Sequence, residues 1–391
     1  MRIILATALA TAAMLASDPA MAEDGRFSGA PRIGSSDGWS IKPRGRIQLD
    51  AGHVSGPAEP GLIGELRRAQ LGLEGTAPGG FNWLVEAEFA EGIAELTELT
   101  LTWKASDALS FTIGQHNNFQ SLEELTSDRF SAFMERAAFT DAFNFERRIG
   151  LSAEIRHGPL TAQLGVFGDN LLEIDEADGA YSLDGRIIYA PEIGDARLHL
   201  AASAHRRDNG DRVDNGIASR FRVRPLFHAT DTRFVSSPAL LADGESRFGL
   251  EAAVISGPFH AAAEAQWLDV DVPAGAADRD YFGGYAEIGW FLTGETRGYR
   301  SARWDRTRVR RPVETGGPGA FQVNLRYDRL DLDRDGTQDG LVAALIWIPT
   351  DHARLMINYG RLWIDDAAIP DAAGRRAYAV DMIGARAQFD F

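Results

Sequence analysis

Three arginines at alternate positions are the most distinctive charged feature of the sequence. The segment from Ile217 to His228 reads IASRFRVRPLFH, and its arginines are Arg220, Arg222 and Arg224. Because alternate side chains of a β-strand point to opposite faces, a strand here would carry guanidinium groups on one face and apolar side chains on the other. A guanidinium group presents forked donors that suit phosphate or carboxylate. The segment therefore predicts an anion-binding track, with a salt-bridge network that serves rigidity as the open alternative.

A second set of arginines flanks or lies within the stretch from His116 to Arg147, with carboxylates close by. The charged side chains are Arg129, Arg136, Arg147 and Arg148, with Glu123, Glu124, Asp128, Glu135 and Glu146. The sequence SLEELTSDRFSAFMERAAF within this stretch has helical spacing. A connection this long in a compact protein is usually functional. The charges are expected either to have a functional role or to pair with one another and fix the loop.

Catalytic and metal-binding chemistry has no clear signal in the sequence. There is no cysteine, no paired metal spacing of histidines, and no G-x-S-x-G, H-E-x-x-H or glycine-rich phosphate loop. The stretch DLDRDG from Asp331 to Gly336 resembles the start of an EF-hand loop, but its twelfth position is Val342 instead of glutamate. We expect no enzyme activity, no cofactor and no metal site, and the net charge of −16 argues against a nucleic-acid partner.

The remaining chain supplies the strands that would position these arginines. From Arg44 onward, runs of about ten residues alternate apolar and polar side chains, as in FNWLVEAEF and ELTLTWK. Short turns alternate with longer polar loops, and aromatic residues cluster near the ends of the runs. This pattern is typical of an all-β, transmembrane antiparallel β-barrel. A soluble sandwich or propeller also alternates, but it would bury its apolar faces in a shared core.

The turns predict about eighteen strands, or sixteen if the pair interrupted by Pro225 is removed. An arginine on the lipid face costs several kcal/mol near the midplane. The arginines of the 220–224 segment are therefore expected to face the pore, with Phe221, Val223 and Phe227 towards lipid. Because successive connections alternate between the two ends of an antiparallel barrel, the basic run RGYRSARWDRTRVRRP is expected at the periplasmic end. It is expected to hold anions leaving the pore or to form a solvated turn.

The N-terminus has the pattern of a secretory signal. Met1-Arg2 precedes the apolar segment IILATALATAAMLA, and AMA before two acidic residues supplies a cleavage site. We expect a cleaved signal peptide over residues 1–22, a periplasmic segment over residues 23–43 and the barrel domain over residues 44–391. This organisation predicts export to the cell outer membrane.

The chain resembles the phosphate-selective porins O and P at several places along the mature sequence. The matching pieces are LRRAQLGLEG (Leu66–Gly75), FMERAAFTDAF (Phe133–Phe143), RFRVRP, FLTGETRGYR (Phe291–Arg300) and the terminal Phe391. The resemblance implies a sixteen-stranded porin, normally a trimer, for passive uptake of anions through a pore lined by arginines. It also implies a constriction loop folded into the barrel, which falls on the His116–Arg147 stretch.

The resemblance further implies which residues form the anion pathway. The family's arginine ladder falls on Arg220, Arg222 and Arg224, with Arg67 or Arg68, and its constriction arginine falls on Arg136. Arg129 and Arg148 flank that position. Family phosphate selectivity uses lysines near the constriction, whereas this chain has only Lys42 and Lys104.

The expected function is passive diffusion of small anions, with phosphate among the candidates. The expected partners are these solutes, the outer-membrane lipid with lipopolysaccharide, and two further copies of the chain. Two alternatives stay open. One is a general or cation-preferring porin governed by Glu86, Glu88, Glu98 and Glu264. The other is a plugged barrel used for anchoring or adhesion.

Overall fold

The computed structural model describes residues 26–59, 61–90, 92, 94–171, 179–273 and 278–391. The predicted signal peptide lies outside these residues. No helix in these ranges is long and apolar enough to span a membrane.

Sixteen antiparallel strands form the wall of a closed barrel, which confirms the sixteen-strand prediction. They are β1 (Ser40–Val54), β2 (Leu62–Ala77), β3 (Phe81–Glu88), β4 (Glu95–Lys104), β5 (Leu109–Asn117), β6 (Arg147–His157), β7 (Leu160–Phe167), β8 (Tyr181–Tyr189), β9 (Ala196–Asp208), β10 (Gly244–Ser256), β11 (Phe259–Asp271), β12 (Arg279–Phe291), β13 (Ala320–Asp331), β14 (Thr337–Thr350), β15 (Ala353–Asp365) and β16 (Tyr378–Asp390). Strand β1 closes the barrel on β16, in a register that runs from the Arg46–Asp390 pair to the Val54–Met382 pair. β1 begins a few residues before the predicted boundary at residue 44.

The alternating sequence of each strand places its apolar side chains on the outside. Along β15, Leu355, Ile357 and Tyr359 are 44%, 55% and 49% exposed, whereas Met356 and Asn358 between them are buried. An exposed apolar face with a polar inner face is the pattern of a barrel in contact with hydrocarbon. It is the reverse of a soluble sheet, which buries its apolar face.

The two ends of the barrel differ in their connections. The start of β1, the end of β16 and the short turns lie at one end, which in outer-membrane barrels is the periplasmic end. One connection at this end is long: residues 292–319 between β12 and β13, here called the periplasmic connection. The loops at the opposite, extracellular end include residues 118–146, the constriction loop, and residues 209–243, the outer loop.

These three segments fold into the barrel and build its core there. The constriction loop contains two short helices, α1 (Leu122–Leu125) and α2 (Ala138–Ala142). Large side chains from all three segments are almost completely buried: Phe133, Phe139, Phe143, Phe221, Phe227, Phe234 and Trp304. The inward fold of the constriction loop confirms that part of the predicted architecture.

The segment around Arg220–Arg224 does not cross the membrane. It forms a short pairing of Arg222–Val223 with Val235–Ser236 inside the outer loop. The prediction that its phenylalanines contact lipid was wrong. Phe227 packs over Gly52, whose added Cβ would come within 3.0 Å of the ring, and Phe221 packs edge-on against Tyr281. Alternation predicts one buried and one exposed face, and here the buried face packs against the barrel mouth instead of lipid.

Candidate permeation pathway

The constriction loop is fastened to one side of the barrel by arginines of the wall. Arg354 donates to the carbonyl oxygen of Ser131 at 2.8 Å, and Arg386 donates to that of Met134 at 2.6 Å. Arg386 is also paired with Asp50 at 2.7 Å, and both side chains are buried. These guanidinium groups satisfy backbone oxygens that the irregular loop leaves without partners. Their role here is structural.

Carboxylates of the wall bind the loop's backbone N–H groups in the same way. Glu264 accepts from the backbone N–H groups of Leu122 and Glu123 at 3.0 and 2.7 Å. Asp328 accepts from the N–H of Ala138 at 2.9 Å. Glu264, which the cation-preferring alternative placed in the pore, is thus occupied in holding α1.

The loop's own Glu135 is a further attachment point. It lies 3.0 Å from Arg386 and 3.4 Å from Arg67. Burial alone would raise the pKa of the Glu135 carboxyl, but the guanidinium groups of Arg67 and Arg386 outweigh burial and hold that pKa at about 2. The ionised form is therefore the one that fixes the loop at neutral pH.

This attachment predicts a pH-dependent effect of Glu135→Gln. A carboxyl whose pKa is depressed from 4.5 to about 2 stabilises the fold above pH 4.5 and loses that contribution as pH falls towards 2. We expect the substitution to lower the free energy of unfolding by about 2–3 kcal/mol at pH 7. Urea unfolding of both proteins should show this difference narrowing below about pH 4.5. A difference that stays equal at pH 7 and pH 2.5 would contradict the assignment.

The opposite side of the barrel leaves an open cavity of about 750 Å³, the main cavity, between the loop and strands β1–β6. It extends from Glu88 and Glu95 at the extracellular ends of β3 and β4 to Lys42 and Phe391 at the periplasmic end. Its ten basic residues are Lys42, Arg44, Arg46, Arg68, Arg129, Arg136, Arg147, Arg300, Arg303 and Arg306. Its seven acidic residues are Glu74, Glu86, Glu88, Glu95, Glu98, Asp128 and Asp305.

Most of these charges form ion pairs across the cavity or along its wall. Arg44 lies 3.0 Å from Glu86, and Arg147 lies 3.3 Å from Glu98. Such lumenal pairs shape the cavity, and the excess of basic groups leaves its lining positive overall.

A second cavity of about 410 Å³, the side cavity, lies against β4–β8. It reaches the periplasmic end at the turn of Ser106 and Asp107. Hydroxyl and amide groups form much of its lining: Thr100, Thr102, Ser110, Thr112, Ser152, Gln163 and Ser301. The side cavity is thus less densely charged than the main cavity.

A hairpin of the periplasmic connection stands between the two cavities. This inserted hairpin pairs Gly298–Arg300 with Arg303–Asp305. Its two-residue loop, Ser301 and Ala302, has φ of +51° and +57°, the left-handed backbone of a type I′ turn. The sequence lacks the Asn-Gly or Asp-Gly pair that normally marks such a turn, and it therefore contains no signal for the hairpin.

The predicted anion-pathway residues divide into three groups. Arg68, Arg129 and Arg136 line the main cavity together. Arg67 is paired with Glu135, and Arg148 with Asp169 at 3.5 Å, so these two arginines fix loops. The remaining group is Arg220, Arg222 and Arg224, which lies in the outer loop at the mouth.

The outer-loop arginines have a neighbour that the sequence did not single out. The pKa of Arg233 is lowered to about 10, first by burial and also by the nearby Arg224 and Arg222. Arg224 contacts Asp141 of α2, which lies 3.6 Å away. The mouth therefore holds a basic cluster that rests on the constriction loop.

Other pathway residues were also missed by sequence reasoning. Arg44 and Arg46 occupy alternate positions of RGRIQLD in β1, and this alternation was an available signal for them. Arg300, Arg303 and Arg306 belong to the basic run that was expected to hold anions leaving the pore or to form a solvated turn. Its inward fold was not predicted, because the course of this connection depends on tertiary packing. In the part of the chain that the structure describes, no group of three or more acidic or histidine side chains could hold a metal ion.

A sixteen-stranded barrel with an apolar outer face, an inward loop and a charged lumen defines an outer-membrane porin, a channel-forming protein. The family model "Phosphate-selective porin O and P" matches residues 41–391. The chain belongs to this family.

The chain is also similar to individual proteins, in sequence or in fold. An uncharacterised protein of Caulobacter vibrioides is 44% identical over 99% of this chain and 81% of its own length. Porin O of Pseudomonas aeruginosa is 26% identical over 76% of this chain and 74% of its own. The anion-selective porin of Comamonas acidovorans has a similar fold, with a TM-score of 0.58 and 14% identity over 90% of this chain and all of its own (100%). The trimer form of OmpT of Vibrio cholerae has a TM-score of 0.57 and 10% identity, covering 91% of this chain and 100% of its own.

Proposed function

We propose that this porin conducts small anions that carry phosphate or carboxylate groups. The observation that carries the proposal is the charge of the main cavity, whose lining has ten basic and seven acidic residues. The whole chain has the opposite balance, with 40 basic and 56 acidic residues. Basic residues are thus concentrated along the pathway, and a positive, narrow channel raises the local concentration of anions.

The arginines act at successive positions along the pathway. The outer-loop cluster with Arg222, Arg224 and Arg233 attracts anions to the mouth, and Arg68, Arg136 and Arg44 continue the track through the main cavity. Most of these guanidinium groups also pair with carboxylates. Pairing keeps each anion contact weak, which conduction requires because the ion must also leave.

The proposal also covers the export of the protein, its contact with the membrane and its assembly. Residues 1–22 are removed on export, and the periplasmic segment that starts at residue 23 ends where β1 begins, at Ser40. The apolar outer surface contacts outer-membrane lipid, including lipopolysaccharide at the extracellular side. The assembly is a homotrimer, and the trimer form of Vibrio cholerae OmpT, a barrel of similar fold, supports this part of the proposal.

Reversal potentials in a KCl gradient test the proposed selectivity. The full-length porin, purified and inserted in a planar bilayer, is expected to pass chloride in preference to potassium. Inorganic phosphate added to the chloride solution is expected to block the chloride current in a concentration-dependent manner. Preference for potassium would instead support the general or cation-preferring porin. Absence of conductance would support a plugged barrel.

A further inference from the structure

The inserted hairpin divides the periplasmic half of the pore. The main cavity and the side cavity share the following lining residues: Leu84, Glu98, Asn117, Leu125, Ser301 and Arg303. Below this junction the main cavity continues to Lys42 and Phe391, and the side cavity continues to Ser106 and Asp107. From this junction the two cavities thus reach the periplasmic end of the barrel by separate branches, with the hairpin tip at the fork.

Contacts on three sides hold the tip in this position. Arg186 of β8 donates to the carbonyl oxygen of Ala302 at 3.2 Å. The backbone N–H of Trp304 donates to the hydroxyl of Thr126 in the constriction loop at 3.2 Å. Trp304 itself is 1% exposed, and the guanidinium carbon of Arg297 lies 3.9 Å from its ring centroid. The tip is therefore a fixed part of the pore.

Arg303 differs from the other arginines along the main cavity. Each of the other eight has a carboxylate within 4.0 Å. Across the described ranges, no carboxylate oxygen lies that close to Arg303. Its one hydrogen-bond partner there is the carbonyl oxygen of Leu125 at 3.4 Å. The side chain is exposed to both cavities. Among the described residues, it is thus the one arginine of the main cavity at which no carboxylate competes with an anionic solute.

We propose that Arg303 is the residue that binds the permeating oxyanion at the fork, and that the two exits release it. This inference rests on the proposed anion function and names one site within it. An anion bound at Arg303 faces Thr100, Thr102 and Ser301 on the side-cavity branch, whose hydroxyl groups donate to phosphate or carboxylate oxygens. On the other branch it faces Arg44 and Lys42. Glu98 at the junction opposes tight binding and favours release.

Phosphate block of the chloride current through Arg303→Gln tests the site. The substitution removes a charged hydrogen-bond donor, so it is expected to weaken the block by inorganic phosphate roughly tenfold, which corresponds to about 1.4 kcal/mol. Arg303→Lys keeps the positive charge but lacks the planar guanidinium donors, and it is expected to weaken the phosphate block less. Arg308→Gln is the matched control, because Arg308 is an exposed arginine of the same connection outside both cavities. It is expected to leave the block unchanged.

The outcomes separate this inference from the proposed function. Anion preference in the wild type with unchanged block in Arg303→Gln would overturn the site and leave the anion function standing. An equal loss in Arg303→Gln and Arg308→Gln would mean that net charge acts at a distance, which also overturns it. Cation preference in the wild type would overturn both. Heat-modifiable electrophoretic mobility of each variant verifies that the barrel has folded.

A bulky substitution in the side cavity tests the second exit. Ser110→Trp places an indole in the hydroxyl-lined branch near its periplasmic end, whereas the main cavity keeps its lining. We expect a lower single-channel conductance that is not abolished, with phosphate block at Arg303 retained. A conductance equal to that of the wild type would show that the side cavity carries no current and would overturn the two-exit arrangement.

Discussion

Replacement of Glu287 by alanine is expected to lower the free energy of unfolding by about 3–5 kcal/mol. The Glu287 carboxylate lies 2.9 Å from Arg297 of the periplasmic connection and 2.7 Å from Arg326 of β13. All three side chains are at most 3% exposed. Alanine would leave two buried guanidinium groups without this carboxylate, and their desolvation would no longer be offset. Urea unfolding measures the change.

A matched pair of controls separates burial from charge. Glu192→Ala removes a carboxylate that pairs with Arg197 at the surface, where the two side chains are 67% and 38% exposed. Such surface pairs contribute about 0–1 kcal/mol, so this variant is expected to unfold close to the wild type. Glu287→Gln keeps the shape but loses the charge and should fall between them. Equal small losses in Glu287→Ala and Glu192→Ala would contradict the proposed importance of the buried cluster.

The same cluster connects the two segments that shape the pore. Arg326 also binds Glu123 of the constriction loop at 2.6 Å, so Glu287 joins that loop to the periplasmic connection through one guanidinium group. Removal of the Glu287 carboxylate should therefore disturb the constriction loop and the inserted hairpin together. We expect larger current fluctuations in Glu287→Ala than in the wild type, since neither segment would keep a fixed position.

The barrel could be predicted because its information is local. Along each strand, successive side chains point alternately outward and inward. This period of two is visible in runs such as ELTLTWK without any knowledge of the neighbouring strands. The presence of a long segment at the constriction loop could be predicted from its length and helical spacing, whereas its fold into the barrel was implied by the resemblance to the porin family. Its strands β5 and β6 are clearly alternating, and the long segment between them has a different, helical spacing.

The lumen could not be predicted residue by residue, because ion pairing is decided by tertiary contacts. Arg386 and Arg129 both lie inside the barrel, but Arg386 binds a loop carbonyl while Arg129 lines the main cavity. Their sequence surroundings do not distinguish these roles. The prediction for the outer loop, that its phenylalanines contact lipid, was wrong for a different reason. Its side chains do alternate between apolar and polar. However, an apolar face has the same sequence pattern whether it contacts lipid or packs against the mouth of the barrel.

Replacement of Leu345 by arginine is expected to lower barrel stability by about 2–4 kcal/mol. Leu345 of β14 points outward and is 45% exposed. Its register partners on both neighbouring strands, Val323 and Ile357, are also apolar and exposed. An arginine at this position would replace contact with hydrocarbon by a charge whose two cross-strand neighbours are apolar. Urea unfolding of the protein reconstituted in liposomes gives the difference, with Leu345→Ala as the control for loss of size.

The same charge placed on the inner face should behave differently. Thr102 of β4 lines the side cavity, so the guanidinium group of Thr102→Arg remains in water and its effect on unfolding should stay within about 0.5 kcal/mol. It should instead shift the reversal potential in a KCl gradient further towards chloride, because a positive group would enter the pathway. The contrast between the two arginines depends only on which face of the wall each one occupies. Comparable destabilisation by both, or a shift in selectivity from Leu345→Arg alone, would reverse the assignment of the lipid and lumenal faces.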